Sequence, residues 1–309
     1  MSAGRIARIA FGLLFSVFSG VCVAGGTGRA EAGRKLLADM ERALAVVKKP
    51  AATICKIGAP LTGPHRAHGP KPMDFTRRIT LSNGKTSYGL KYWMNVQAAD
   101  GAAPLAIEGS TGLGMERPSS ANWYCNNFLE FTYGGASILK TVLAEFSEEP
   151  EGSLRVRWPT EQAEVVALLS LPADGVHLQI VFHVVAKGPP KPFSIGFRAY
   201  PGHTARPWNR RVDTFHRVLC PVMRLQLPPN EHRLVLYDEL DVSKTACAID
   251  VGNAGQSGTE LNLQNYGVTI TLEFPAAAST ETGTVRLWDL GRGSVNAAMD
   301  LVLGDEGAE

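Results

Sequence analysis

Residues 78–96 read RITLSNGKTSYGLKYWMNV, and this stretch decides the fold class of the chain. Two strand-like runs lie on either side of an Asn-Gly pair, Asn83-Gly84. Alternation of apolar and polar residues is typical of a strand with one face in a core, and both residues of the pair tolerate the positive φ of a two-residue type I′ turn. The stretch therefore predicts a β-hairpin with a type I′ turn.

The same period of two continues along the chain. In residues 175–188, GVHLQIVFHVVAKG, the alternation indicates one long strand and places His177 and His183 on its outer face. Further strands are predicted at 154–158, 164–171, 193–200, 232–240, 267–274 and 284–290. Many short strands separated by Gly, Pro and Asn favour an all-β fold, a large antiparallel two-sheet β-sandwich over residues 73–309.

The N-terminal segment has the features of a secretory signal peptide. Met1–Arg8 carries two arginines and no acid, and Ile9–Ala24 is an uncharged apolar run. The run is shorter than the ~20 apolar residues that a membrane span needs. We expect cleavage after Ala24, with Ala32 as an alternative, and an exported protein, periplasmic or extracellular, without a stable membrane span. An uncleaved N-terminal anchor is the other interpretation.

Residues 25–72 are predicted to precede the sandwich. Residues 33–49 place apolar side chains at a period near 3.6, which predicts one amphipathic helix ended by Pro50. Residues 58–72 contain four prolines and are expected to form an extended linker or a surface loop. His65 and His68 lie there without a visible third ligand, so we expect a solvated loop, no metal site and no cofactor.

The charge balance argues against a nucleic-acid partner. The full chain has 31 Lys and Arg and 29 Asp and Glu, and removal of residues 1–24 takes away Arg5 and Arg8 but no acid. The remainder is formally neutral. Nucleic-acid binding depends on clustered side chains that neutralise phosphates, and no such cluster stands out here.

Four cysteines follow the signal segment: Cys55, Cys125, Cys220 and Cys247. None is spaced as C-x-x-C, so in an oxidising compartment the prediction is one or two long-range disulfides of open connectivity. The alternative is a set of buried free thiols in a domain large enough to fold without covalent links.

The first candidate binding stretch is PGHTARPWNRR, residues 201–211, directly after the strand predicted at 193–200. Trp208 has a ring that can stack on the apolar face of a sugar, while Arg206, Arg210 and Arg211 can donate hydrogen bonds to hydroxyl, uronate or sulfate groups. His203 is a candidate base. The alternative is a solvated turn whose arginines pair with acids.

The second candidate stretch is ERPSSANWYCNNFLE, residues 116–130. It groups Trp123, Tyr124 and Asn126 and begins at Glu116. Aromatic rings beside amides are residue types suited to carbohydrate, because the ring offers a platform and the amide offers paired donors and acceptors. The alternative is a structural turn held by a disulfide through Cys125.

Length, secretion signal and strand pattern together resemble the galactose-mutarotase-like supersandwich domains of sugar epimerases and of polysaccharide-active enzymes. The resemblance spans about residues 75–303 and implies a supersandwich fold and a carbohydrate ligand. In the epimerases a histidine and a glutamate act as acid and base. No motif in this chain matches those positions, so none of its residues is assigned either role.

These observations lead to three hypotheses. The first is an exported β-sandwich that binds carbohydrate, without catalysis or as an accessory domain, through the two candidate stretches. The second is a carbohydrate-active enzyme, an epimerase or a lyase, in which His203 or Tyr124 would act as base near Arg206 or Arg210. The third is a structural cell-envelope protein without a small ligand. The hydrolase motif G-x-S-x-G, the metalloprotease motif H-E-x-x-H and the P-loop do not occur.

Overall fold

The computed structural model describes residues 53–64, 73–98, 104–108, 112–118, 122–201, 210–214, 216–219, 222–238 and 246–290. Nearly all of this part of the chain forms antiparallel strands and the turns between them, which confirms the all-β sandwich. The predicted helix at 33–49 lies outside the described residues. Within them, no helix is long and apolar enough to cross a membrane.

The strands form three hydrogen-bonded sheets, where two were expected. Sheet A contains β1 (Ile54–Ile57), β2 (Leu61–Pro64), β3 (Met73–Ser82), β4 (Ser87–Ala98), β5 (Pro104–Glu108) and β6 (Leu113–Arg117). Sheet B contains β7 (Leu129–Tyr133), β8 (Ala136–Ser137), β13 (Phe193–Ala199), β16 (Met223–Leu227), β19 (Gly258–Leu263) and β20 (Val268–Phe274).

Sheet C is the largest sheet and contains the remaining strands. These are β9 (Glu145–Glu149), β10 (Ser153–Pro159), β11 (Ala163–Ser170), β12 (Leu178–Ala186), β14 (Arg210–Thr214), β15 (Val218–Leu219), β17 (Arg233–Asp238), β18 (Cys247–Asp250), β21 (Ser279–Glu281) and β22 (Val285–Asp289). In β10 the side chains alternate strictly between buried and half-buried, and β12 does so over most of its length. His183 lies on the outer face of β12, as the period of two predicted.

Side chains from all three sheets form one core. The rings of Phe182 in sheet C and Phe197 in sheet B lie 6.4 Å apart, and those of Tyr92 in sheet A and Phe146 in sheet C lie 5.1 Å apart. The Tyr88 hydroxyl of sheet A donates a hydrogen bond to the carbonyl of Val176 at 2.9 Å. Each sheet therefore buries one face against the others, as in a sandwich.

Sheet A begins earlier than the predicted boundary at residue 73. Both β1 and β2 pair with β3, and the register of β2 runs from Leu61 opposite Thr76 to Pro64 opposite Met73. Part of the proline-containing segment expected as a linker is therefore an edge strand. Proline is tolerated at an edge because its missing N–H interrupts no ladder between two strands.

The hairpin predicted at residues 78–96 is confirmed, but its turn type is not. Strands β3 and β4 pair continuously up to Ser82 opposite Ser87, which leaves a four-residue loop, and in it Gly84 but not Asn83 has a positive φ. The buried Asn83 side chain explains the longer loop. Its Oδ1 accepts hydrogen bonds from the backbone N–H groups at 85 and 86, and its Nδ2 donates to the carbonyls of Pro172 at 2.6 Å and Gly175 at 2.7 Å.

Three cysteines are free thiols, so the expected disulfides are not formed by them. Cys55 is buried in the edge strand β1, Cys247 is buried in the middle of sheet C, and Cys125 is half-buried after the Trp123 bridge to β13. Burial raises the pKa of Cys55 to about 11 and that of Cys247 well above its usual range, so both stay protonated and apolar. Cys220 lies outside the described residues.

Gly114 allows β6 to lie directly against residues 122–128. The N–H of Phe128 donates to the carbonyl of Leu113 at 2.9 Å, and a Cβ at position 114 would overlap the Cys125 carbonyl. Since the obstacle is backbone, it cannot move away as a flexible side chain can. This close approach fixes the segment that carries Tyr124.

We expect Gly114→Ala to lower the free energy of unfolding by about 1–3 kcal/mol or more, because overpacking forces the backbone apart. Urea denaturation measures the change. Gly188→Ala is the matched control, since a Cβ there meets no atom within 4 Å. Equal stability of the two variants would show that residues 122–128 are not held by this contact.

We expect Asn83→Ala to destabilise the protein by about 1–3 kcal/mol, because two partly buried carbonyls lose their donor. Asn83→Asp keeps the acceptor for the loop N–H groups but places a carboxylate against the Pro172 and Gly175 carbonyls, so it should be at least as damaging. Thermal and urea unfolding compare the three proteins. An Asp variant as stable as the parent would refute the role given to Nδ2.

Candidate functional site

The end of β13 lies between two neighbouring segments. On one side Ala199 pairs with Val268 of β20. On the other side Trp123 forms an antiparallel bridge with Ala199, the Tyr124 N–H donates to the carbonyl of Arg198 at 3.0 Å, and the Tyr200 N–H donates to the carbonyl of residue 122 at 2.7 Å. Residues 122–124 therefore extend sheet B at this end.

The two aromatic residues at the bridge point to opposite faces, because successive side chains alternate in extended backbone. Trp123 is completely buried, and its Nε1 donates to the carbonyl of Trp288 at 2.9 Å. Its proposed place in a binding surface is thus wrong, since no ligand can reach it. Tyr124 lies on the outer face and is half-buried.

A groove of about 310 Å³ opens on the outer face at this end of sheet B. Its lining includes Tyr124, Arg198, Tyr200, Gln264 and Tyr266, together with Gly267, Val268, Thr269 and Ala199. The Tyr124 and Tyr200 rings meet edge to face with centroids 6.1 Å apart. Tyr266 is 49% exposed, so a large aromatic surface faces the solvent at the groove.

The hairpin loop between β19 and β20 brings Gln264 and Tyr266 to the groove. The Gln264 N–H donates to the carbonyl of Gly267 at 2.8 Å and closes a four-residue loop. A Cβ at position 267 would lie 3.0 Å from the Ala199 carbonyl. The glycine therefore permits the close approach of this loop to the end of β13.

Arg198 is held between an aromatic ring and a carboxylate. Its guanidinium carbon lies 4.6 Å from the centroid of the Tyr124 ring, within the range of a cation–π interaction. Its Nη1 lies 3.3 Å from Oε1 of Glu130 on the neighbouring strand β7. Gly196, opposite Glu130 in the sheet, has no side chain to obstruct that carboxylate.

Burial raises the pKa of Tyr200, and the nearby Tyr266 and Tyr124 hydroxyls add to the effect. The neutral phenol can donate and accept hydrogen bonds in the groove.

Glu130 also lines a second, smaller cavity of about 160 Å³. Tyr92, Leu113 and Trp158 contribute apolar walls, and Lys140 contributes an ammonium group. Glu130 thus belongs to the lining of this cavity and also contacts the Arg198 guanidinium of the groove.

The other predicted site residues are not gathered at the groove. Glu116 forms an ion pair with Arg78 in sheet A at 3.4 Å, and Asn126 is exposed but does not line the groove. Arg210 and Arg211 lie in β14 of sheet C, where their register partners are Asp238 and Tyr237.

His203, Arg206 and Trp208 lie outside the described residues, as do His65 and His68. Among the residues that the structure describes, no group of three metal-ligating side chains forms a metal site.

Sequence analysis did not single out Arg198, Tyr200, Gln264 or Tyr266. Arg198 and Tyr200 were assigned to a predicted strand, and Tyr266 lies in a turn. The alternation in residues 193–200 places Arg198 and Tyr200 on the polar face of that strand. This placement is the feature of the sequence that could have identified them as groove residues.

A second polar cluster surrounds Asp250 in sheet C. The carboxylate accepts hydrogen bonds from His232 Nδ1 at 3.0 Å, Arg233 Nε at 3.2 Å and Gly252 N at 2.9 Å, and Arg286 Nη1 lies 3.6 Å away. Burial opposes ionisation, but the hydrogen bonds from Gly252 and His232 and the charge of Arg233 lower the pKa of Asp250. Both carboxylate oxygens are engaged, so the cluster supports sheet C.

In comparisons with known proteins, this chain is similar to solved structures but matches nothing by sequence. The sequence matches no family model and no curated protein. A 4-α-glucanotransferase from Thermococcus litoralis matches over 84% of this chain with 11% identity and a TM-score of 0.33, and this chain spans 42% of that enzyme.

Two further structures are similar to the same degree. A protein assigned as an aldose 1-epimerase from Klebsiella pneumoniae matches over 80% of this chain and 94% of its own, with 10% identity and a TM-score of 0.38. An α-galactosidase variant from Geobacillus stearothermophilus, in complex with 1-deoxygalactonojirimycin, matches over 79% of this chain and 42% of its own, with 9% identity and a TM-score of 0.36.

Proposed function

We propose that this protein is an exported β-sandwich that binds carbohydrate in the groove at the end of sheet B. One observation carries the proposal: three tyrosines, an arginine and a glutamine from three separate segments line the same opening. Aromatic rings pack against the apolar C–H face of a sugar, while guanidinium and amide groups donate to its hydroxyls.

The size and polarity of the groove favour a small polar ligand. A volume of about 310 Å³ is at the lower end of small-molecule sites and suits one or two sugar units. Among the described lining residues, Arg198 is the only charged side chain. A nucleic-acid site would need several cations to neutralise successive phosphates, so this groove does not suit that class of ligand.

The described part of the groove favours binding over turnover. Glycoside hydrolysis uses two carboxyl groups on either side of the bond that breaks, and none of the described lining residues is a carboxylate or a histidine. Glu130, the nearest acid in the ion-pair network, is paired with Arg198. We therefore infer a binding or accessory role.

We expect Tyr266→Ala to weaken binding of a sugar identified on a glycan array by about three- to tenfold, because the exposed ring no longer stacks. Isothermal titration calorimetry measures the affinity. Val185→Ala is the control, since Val185 is similarly exposed, at 46%, but lies on β12 of sheet C. Loss of binding in neither variant, or in both, would contradict a site at this groove.

Export predicts a shortened mature chain. We expect intact-mass spectrometry of the protein expressed with its own N-terminus to show Gly25 as the first residue, because Ile9–Ala24 has the apolar length of a signal peptide. A chain beginning at Gly33 would still support export through the alternative site. A full-length chain in the cytoplasmic fraction would refute export.

A further inference from the structure

We propose that the groove selects acidic saccharides, with Arg198 binding the acidic group and Glu130 serving as the internal carboxylate that this group replaces. The inference rests on the proposed function. It adds the chemical class of the ligand and the residue that determines it.

Arg198 has the chemistry to bind an acidic group. The Tyr124 ring supports its guanidinium at 4.6 Å, and Nη1 lies 3.3 Å from Oε1 of Glu130. A guanidinium presents five N–H donors in a fixed fork that matches the geometry of a carboxylate or sulfate. A ligand acid that accepts two of these donors at about 2.7–2.9 Å can therefore pair with Arg198 better than Glu130 does at 3.3 Å.

The exchange is favoured by the different surroundings of the two acids. The side chains of Arg198 and Glu130 are 33% and 42% exposed, and ion pairs so open to water contribute little to stability. A ligand acid bound in the groove would have the rings of Tyr124 and Tyr200 beside it, and these rings would exclude water from that side. Charge-assisted hydrogen bonds become stronger where water is excluded.

A displaced Glu130 carboxylate has open space beside it. Glu130 lines the second cavity together with Lys140, and Gly196 opposite it leaves the sheet surface open. The carboxylate can thus turn away from Arg198. Because the Glu130 side chain is 42% exposed, water can solvate it after the exchange.

The test compares ligands that differ only in the acidic group. Calorimetry is performed with a short glucuronate oligosaccharide, the glucose oligosaccharide of the same linkage and length, and its 6-O-sulfated form. We expect the unmodified protein to bind the acidic forms about tenfold more tightly than the neutral form, as hydrogen bonds to charged groups allow. The two acidic ligands show whether carboxylate or sulfate is preferred.

Two variants test whether Arg198 and Glu130 determine the preference for acidic over neutral ligands. Arg198→Gln should reduce the acidic-to-neutral affinity ratio to about one. Glu130→Gln should raise that ratio several-fold, because the internal competitor is gone. A purely structural Arg198–Glu130 pair predicts the opposite for Glu130→Gln, namely weaker binding of all ligands with an unchanged ratio.

A salt series on the unmodified protein gives a second measurement that does not depend on the folding of a variant. The acidic-to-neutral affinity ratio should fall toward one as sodium chloride rises to about 0.5 M, because salt screens the attraction between Arg198 and the acidic group. Equal affinity for acidic and neutral oligosaccharides would overturn the inference and leave the proposed function standing. Absence of binding to any sugar, on the array or in solution, would overturn both.

Discussion

The antiparallel bridge between Trp123 and Ala199 is the interaction on which the site depends. It adds residues 122–124 to the end of β13, and the indole of Trp123 continues the connection into sheet C through its hydrogen bond to the Trp288 carbonyl. Asn122 adds to this connection, since its Nδ2 donates to Asp289 Oδ1 at 2.8 Å. The segment is thus fixed on its buried face. The adjacent Tyr124 is presented outward without freedom to move far.

This arrangement explains why a buried tryptophan matters to a surface groove. Trp123 contributes no atom to the ligand surface, yet it sets the position of Tyr124, and Tyr124 in turn supports the Arg198 guanidinium. Rigid elements hold a binding constellation more accurately than loops do. Here two of the groove-lining side chains, on residues 124 and 198, belong to paired backbone, and the hairpin loop with Tyr266 is held by its close approach to Ala199.

Much of the fold could be predicted from the sequence, because alternation is a local signal. The hairpin at 78–96 and the strands at 154–158, 193–200 and 267–274 all occur near their predicted positions. The wrong turn type at Asn83 and the wrong number of sheets have non-local causes. Asn83 takes part in a longer loop because its side chain reaches carbonyls about 90 residues away, and the third sheet depends on which strands pair. Neither is visible in a window of neighbouring residues.

The candidate site was predicted only in part, for a related reason. Tyr124 was identified by its composition, but Trp123 beside it has the same chemical character, and only its partner strand decides that it faces inward. Arg198 and Tyr266 come from segments about 70 residues apart and meet only when β13 and β20 pair. A binding surface assembled in this way leaves no contiguous motif. Under the proposed function, specificity would rest on single side chains at strand ends, with the half-buried arginine on the tyrosine face distinguishing an acidic sugar from a neutral one.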